Sequence, residues 1–260
     1  MNLNLNNKNA LVCGSTQGIG KATAMALAEE GVNVTLVARN REKLKAVLEE
    51  LPKHRNHNYI VADFSNPREL QEQVIKFIEK NYGFHIVINN TGGPRPGDIL
   101  NASLSEFETG FTQHLKCSHL LAQATVPFMK TEGFGRIVNI ISTSVKEPIE
   151  GLGVSNTIRG AVGNWSKTLS HEVAPFGITV NNVLPGFTET ERLTDIIKIK
   201  ANIENISIED MTDIMKNYTP IKRFATPLEV ANAITFLASD AASYINGINV
   251  PVDGGRTKSL

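Results

Sequence analysis

The chain has 260 residues, 41% hydrophobic and 20% charged, which suffices for a sizeable core and excludes a disordered polymer. Lys plus Arg and Asp plus Glu number 26 each, so the formal charge is zero and nothing favours a polyanion such as nucleic acid as partner. Cys13 and Cys117 lie far apart with no second thiol near either, which reads as two free thiols in a reducing compartment.

The opening stretch MNLNLNNKNA lacks the apolar core of a signal peptide. No apolar run approaches the ~18 residues that a membrane span needs, so a soluble cytoplasmic protein is expected. Short β-branched runs then recur in order: ALVC, NVTLV, YIVA, HIVIN, RIVNII, ITVNNVL and INVPV. Most are apolar throughout rather than alternating, the pattern of strands covered on both faces. Helical patterns lie between them. Ile19, Ala22, Ala26 and Leu27 follow Gly18. SNPREL offers Asn66 as N-cap, Pro67 at the first helical position and Glu69 three after the cap; ATPLEV repeats the device with Thr226, Pro227 and Glu229. This alternation predicts an α/β fold: a doubly wound, Rossmann-type parallel sheet of seven strands in a single domain spanning 1–260, without linker or repeat. From 187 to 218 an Ile- and Met-rich helical segment interrupts the rhythm. It reads as a substrate lid or as a packing or oligomer helix pair, and the two are not exclusive.

LVCGSTQGIG follows the first strand and opens the first helix. Its residues Gly14, Ser15, Gln17, Gly18, Ile19 and Gly20 are cofactor-binding candidates, because glycines let the backbone approach a pyrophosphate and a helix N-terminus offers free N–H donors. The spacing is G-x-x-x-G-x-G rather than G-x-G-x-x-G, so the weight rests on its place at the first strand–helix junction. The end of the second strand selects the dinucleotide. LVARNREKL places Ala38 where an acid would hold a ribose 2′-hydroxyl, followed by Arg39, whose guanidinium can pair with a 2′-phosphate. NADP(H) is therefore favoured over NAD(H), with Arg41 read as a solvated helix-start residue.

With these motifs in place the chain resembles the short-chain dehydrogenase/reductase family from about Lys8 to Gly255, nearest its 3-oxoacyl-carrier-protein reductase branch. The resemblance rests on GSTQGIG, Asp63 of VADFSN, NNTGG, GRIVNIIS ending at Ser142, NNVLPGFTET and the terminal VDGG. It implies that Asp63 and Phe64 meet the adenine and that Asn90 and Gly92 line the ribose side. By the same resemblance Pro185, Gly186 and Thr188 frame the nicotinamide with Thr190 nearby, and the assembly is a homotetramer or homodimer. It further implies a catalytic Asn, Ser, Tyr and Lys. Ser142 fits the Ser, but Ser155 stands at the Tyr position, Arg159 at the Lys position and His114 at the Asn position.

These substitutions decide the chemistry. A helix starting near Asn156 is expected to bury Ile158, Ala161, Val162, Trp165 and Leu169, with Ser155 and Arg159 together on the edge of that stripe. A Tyr phenol can protonate a carbonyl oxygen that accepts hydride; a Ser hydroxyl is a far weaker acid and a guanidinium does not donate its proton. Arg159 reads either as stabilising a developing alkoxide or as pairing with the cofactor ribose or a neighbouring carbonyl. His114 reads either as a structural histidine or as the one nearby group that titrates near neutrality and shuttles a proton. Two functions follow. The first is an NADP(H)-dependent oxidoreductase acting on a carbonyl or secondary alcohol of a small, partly apolar or acyl substrate, with an atypical proton relay. The second is a nucleotide-binding scaffold of the same fold with little or no catalysis. His54 and His57 sit in a polar loop without Cys or carboxylate partners, so no metal site is expected.

Overall fold

The computed structural model of the chain describes residues 2–259. Each apolar run becomes a strand: β1 (Asn9–Cys13), β2 (Asn33–Ala38), β3 (Asn58–Val61), β4 (Ile86–Asn89), β5 (Gly135–Ile140), β6 (Ile178–Pro185) and β7 (Asn249–Val252). They form one seven-stranded parallel sheet in the order β3-β2-β1-β4-β5-β6-β7. The helices are α1 (Gly18–Glu29), α2 (Arg41–Glu50), α3 (Pro67–Lys80), α4 (Leu104–Phe111), α5 (Cys117–Glu132), α6 (Gly153–Val173), α7 (Glu191–Glu204), α8 (Ile208–Asn217) and α9 (Pro227–Leu237). Strand order reverses between β1 and β4, and such a switch opens a crevice at the carboxyl ends of the strands. The Rossmann-type α/β expectation is met.

Side-chain caps start most of these helices. Asn66 accepts from the Glu69 backbone N–H ahead of Pro67, and Thr226 and Glu229 close a reciprocal capping box. A second box joins Ser103 to Glu106, while Thr190 and Ser207 cap α7 and α8. Each is worth about 1 kcal/mol. One core packs α1, α2 and α9 on one face of the sheet through Ala24, Leu27, Leu44, Val47, Val230 and Ile234. A second packs α3, α5 and α6 on the other through Leu70, Val74, Leu121 and Val173. The segment 187–218 forms α7 and α8, turned by Asn205 at φ 53°, with a small cluster of its own around Leu193, Ile197, Met211, Met215 and Phe224.

Two expectations about α6 change. It begins at Gly153, because the Asn156 amide that looked like a starting signal donates to Ile149 O at 2.8 Å and braces the incoming loop. Its buried stripe is also rotated. Ser155, Ile158, Arg159, Val162, Gly163, Ser166 and Ser170 are buried, whereas Ala161, Trp165 and Leu169 are only half-buried. Small residues let this face approach the sheet, where a Cβ on Gly163 would already stand 3.1 Å from Val145. Ser155 and Arg159 therefore lie inside the packed face, not on its edge.

Four asparagines cross the sheet on the α6 side. Asn89 donates to Asn139 at 2.7 Å, Asn139 to Asn182 at 2.9 Å, and Asn182 to Asn249 at 2.8 Å. They are register neighbours, so the ladder follows from strand pairing. Replacing Asn139 by Leu strips Asn89 of its acceptor and Asn182 of its donor. Each buried polar group left unpaired costs about 1–3 kcal/mol. We expect Asn139→Leu to lower unfolding stability by at least 1 kcal/mol on that scale, read as a shift in urea midpoint at unchanged m. A shift equivalent to less than about 0.5 kcal/mol would contradict a structural role for the ladder.

Candidate active site

The glycine turn is shaped as its sequence suggests. Gly14 and Gly18 have φ of 59° and 53°, which side chains rarely tolerate. A Cβ on Gly20 would strike Gly14 O at 2.1 Å, so the helix start and the turn touch backbone to backbone. α1 begins at Gly18 behind Gln17, which makes no side-chain cap, and has no acid in its first turn. Its N–H donors thus face the crevice free to take phosphate oxygens. Ser15 departs from the expectation. It is fully buried and its Oγ accepts from Val37 N at 3.0 Å, so its side chain braces the turn against β2 rather than facing a ligand. Asn90 reaches back from the end of β4 to donate to the carbonyls of Cys13 and Gly14, each at 3.3 Å.

Arg39 and Asp63 leave the ends of β2 and β3 side by side, Nη1 to Oδ2 at 4.0 Å, with the Arg39 side chain 76% exposed. That leaves most of the guanidinium free for an anion. Burial tends to raise the Asp63 carboxyl, but the Ser65 N–H and Arg39 outweigh it and hold its pKa below the ordinary value. Phe64 packs in the apolar core and also borders the narrow crevice shared by His114 and Arg159, and its carbonyl accepts from Cys117 Sγ at 3.2 Å. At the other end of the crevice, Pro185 ends β6 and Gly186 packs against Asp253, where a Cβ would come within 2.7 Å. Thr188 donates to Gly186 O at 3.2 Å, and Thr190 stands against Gly18 across the crevice. Gly92 has open space where a side chain would be.

Of the altered positions, Ser142 and Arg159 meet at the end of β5, and His114 shares a crevice with Arg159. Ser142 follows that strand, half-buried, and its Oγ accepts from Ser144 N at 3.1 Å, which leaves the hydroxyl proton free to donate. Arg159 is buried at 8% exposure and donates from Nη1 to Ile140 O at 2.8 Å, while its Nε has no partner. Burial, with Arg192 adding repulsion, pushes its pKa down to about 9, so it is still a cation at neutral pH. Ser155, one turn earlier, is buried at 6%. His114 lies in a π-helical turn, Thr112–Lys116, between α4 and α5, buried at 4% with Nε2 unpartnered. A narrow crevice brings His114, Arg159, Asn89 and Asn90 together. Asn89 Oδ1, the free end of the amide ladder, is unpartnered there too.

The setting of His114 favours its structural alternative over a proton shuttle. Burial first, then Arg159 and Arg192, drive its pKa well below 6.5, and a backbone hydrogen bond at Gly92 only partly opposes them. It is neutral at physiological pH. His57 is structural: Nδ1 accepts from Val34 N at 3.1 Å and Nε2 meets Pro52 O at 3.0 Å.

Beside these residues opens a cavity of about 660 Å³. Phe187, Ile196, Ile199, Ile203 and Met215 of the 187–218 segment form its apolar wall, and Pro96 and Gly97 of the TGGPRPG loop face it. Its third wall escapes sequence reasoning: the loop from Glu147 to Leu152 and the tail residues Arg256, Thr257 and Lys258. Arg256 stacks on Phe187 at 4.4 Å, and Asp253 accepts from the N–H groups of Gly255 and Thr257 to fold the tail over. Arg192 was also unforeseen, although TETERL sets it two residues after the capping Thr190. It donates to Gly93 O at 3.0 Å and Pro94 O at 3.1 Å, tying the start of α7 to the loop after β4.

The sheet order, the uncapped glycine turn and the polar cluster at the end of β5 define a Rossmann-type α/β protein with its site at the switch point. The chain belongs to the short-chain dehydrogenase/reductase family: residues 14–257 match a family model described as enoyl-(acyl carrier protein) reductase. It is 32% identical to the NADPH-dependent reductase BacG of Bacillus subtilis, over 98% of this chain and 100% of that protein. It is 34% identical to the 3-oxoacyl-acyl-carrier-protein reductase FabG of Aquifex aeolicus, over 98% of this chain and 99% of that one. The structure of L-sorbose reductase from Gluconobacter frateurii, solved with NADPH and L-sorbose, matches with a TM-score of 0.93 at 29% identity and covers 100% of both chains. Among the described residues no helix is long and apolar enough to cross a membrane.

The depressed pKa of His114 has a thermodynamic consequence. Below about pH 6.5 the unfolded chain takes up a proton that the native imidazole refuses, so stability is lost as pH falls through that range. The slope is at most about 1.4 kcal/mol per pH unit for one group. Comparing urea unfolding at pH 7.5 and 5.5, His114→Asn should lose less stability on acidification than the parent. Equal losses would place the native pKa near its ordinary value.

Proposed function

We propose that this protein is an NADP(H)-dependent oxidoreductase that interconverts a carbonyl and a secondary alcohol in small molecules, with the proton handled by an atypical set of residues. The observation that carries the reading is the uncapped N-terminus of α1 over a turn too tight for any side chain at Gly20, opening beside a buried cation and a free Ser142 hydroxyl. The reading is supported by relatives whose own names specify NADPH-dependent reductases. Gly14, Gln17, Gly18, Ile19 and Gly20 would hold the pyrophosphate, and the Ser15 backbone shares that turn. Asp63 and the Phe64 backbone would meet the adenine, and Arg39 the 2′-phosphate. Asn90 and Gly92 would line the ribose, with Pro185, Gly186, Thr188 and Thr190 at the nicotinamide. When bound, the coenzyme supplies the hydride.

The chain's own groups do the rest. Ser142 donates a hydrogen bond to the substrate oxygen. Arg159 places a fixed positive charge beside the end of β5, where negative charge on that oxygen is favoured in a site shielded from water. Ser155 is too weak an acid to replace a phenol, and neutral His114 holds its ring in the wall of the crevice rather than delivering a proton. The proton therefore comes from water. General acid catalysis is worth about 10²–10⁴ in rate, so turnover without the phenol is slow for simple ketones. The 187–218 segment acts as the lid, its apolar face forming one wall of the large cavity.

A second reading, a nucleotide-binding scaffold without turnover, is favoured by one observation: among Ser142, Ser155, Arg159 and His114 none is an acid of suitable pKa. NADPH binding followed by its oxidation at 340 nm over a ketone panel separates the two. NADPH binding without reduction of any ketone at any pH supports the scaffold and ends the oxidoreductase reading. Within the first reading, Ser155→Tyr combined with Arg159→Lys should raise kcat for simple ketones by about 10²-fold or more. No gain would mean that the cavity no longer presents a carbonyl to the cofactor. Arg39→Ala should weaken NADPH about tenfold and leave NADH unchanged, as expected for one charge-assisted phosphate contact; equal effects on both would remove Arg39 from the 2′-phosphate site.

A further inference from the structure

Two cations, Arg159 and Arg192, approach one another at the reactive end of the crevice. Arg159 and Arg192 enter no ion pair among the described residues. Yet the loop after β4 draws both toward one place. Gly92 meets His114 through its backbone, Gly93 and Pro94 accept from Arg192, and Pro94 lies against Gly110 beside Ile158 and Val154 of the turn that carries Ser155 and Arg159. One turn along α7 from Arg192, Ile196 lines the large cavity, as do Pro96 and Gly97 farther along the same loop. Arg192 is itself exposed, and it connects through these neighbours to both the reacting position and the apolar chamber.

A guanidinium carries five N–H donors, and the two carbonyls engage only Nη1 and Nη2, leaving Nε and the outward N–H groups for a planar, two-oxygen acceptor. Nearby, the Arg159 Nε is nine-tenths buried and unpartnered. Burial is the main cause of the lowered Arg159 and His114 pKa values, and the smaller repulsive contribution of Arg192 to each is in keeping with positive charges drawn close together. A site built this way takes an anion next to an apolar tail.

We propose that the substrate carries its own carboxylate, paired with Arg192 at the start of the lid, so that the enzyme acts on oxo acids, or the corresponding hydroxy acids, whose apolar chain fills the cavity. This rests on the oxidoreductase reading above. In the reductive direction a C–H bond forms at the carbonyl carbon as NADPH is oxidised, the carbonyl oxygen takes one proton from water, and the carboxylate passes through unchanged. Arg192 is then a specificity-determining residue: it recognises the acid, while Arg159 stabilises charge on the reacting oxygen.

The test compares 2-oxo, 3-oxo and 4-oxo octanoates with their methyl esters, following NADPH oxidation for the parent, Arg192→Gln and Arg192→Lys. At least one acid should exceed its ester by tenfold or more in kcat/KM. The acid-to-ester ratio should collapse toward one in Arg192→Gln through KM, and recover in part in Arg192→Lys. Equal use of acids and esters by the parent overturns the proposal and leaves the oxidoreductase reading standing. So does a variant that weakens NADPH binding tenfold with the ratio unchanged, which would assign Arg192 to the cofactor's phosphates. If no compound is reduced the oxidoreductase reading fails, and calorimetry on the NADPH-loaded parent still decides the carboxylate site. An acid bound tenfold more tightly than its ester supports it, and equal or absent binding overturns it.

Discussion

Burying the guanidinium of Arg159 with no carboxylate beside it is the constraint around which the reactive end of this molecule is arranged. Taking such an ion out of water costs several kcal/mol, about what one partner of a broken buried pair would lose. Here the offset comes from dipoles. The Ile140 carbonyl accepts from Nη1 at 2.8 Å and fixes α6 to the end of β5. Asn89 Oδ1 opens into the same crevice as the last acceptor of an amide ladder whose members all donate away from it. Aligned hydrogen bonds polarise one another, so that oxygen is the negative end of the row. Burial, and after it the same charge, explains His114: a second cation is disfavoured in so dry a place beside the first.

The parts of this fold that were readable in the sequence are those decided by local pattern. Strands covered on both faces must be apolar throughout, and each such run became a strand of the parallel sheet. The caps of α3 and α9 stand where Asn66 and Thr226 announced them, because a cap is a contact between residues three apart. The glycine turn was legible for the same reason. The rotation of α6 was not. Its large residues Trp165 and Leu169 suggested the inward face, but the sheet selected the small residues Gly163, Ser166 and Ser170, which permit closer approach. Likewise Ser15 and Phe64 were read from motif position, while their side chains answer to packing against β2 and the core.

The properties that escaped sequence reading are those set by distant partners. An isolated histidine titrates near 6.5, and only burial together with arginines contributed by α6 and α7 makes His114 a neutral wall of the crevice. The cavity's third wall belongs to the far end of the chain, where Asp253 folds the tail back through its two N–H contacts and Arg256 comes to rest on Phe187. Neither fact has a local signature. The family pattern located the place where chemistry would occur; the neighbours that tune it came from elsewhere in the sequence.

A phenol and a guanidinium solve different halves of the same problem. When hydride reaches a carbonyl carbon, the oxygen must acquire either a proton or a counter-charge. A phenol beside a lysine supplies the first, and its usefulness depends on how close its pKa lies to the working pH. A buried arginine supplies the second at every pH below about 9 and cannot run out of protons, because it gives none. In the proposed reading the site therefore favours substrates whose product oxygen is easily protonated by water once its charge has been held. It gains little on substrates that need the proton early. A second cation at the lid makes the site still more positive, and the same electrostatics that lower the barrier for an oxyanion would repel a cationic substrate. Replacing the acid with a permanent charge thus does not simply weaken a reductase. On the proposed reading it changes which molecules are worth binding, and it moves the choice from the proton donor to the charge the substrate brings with it.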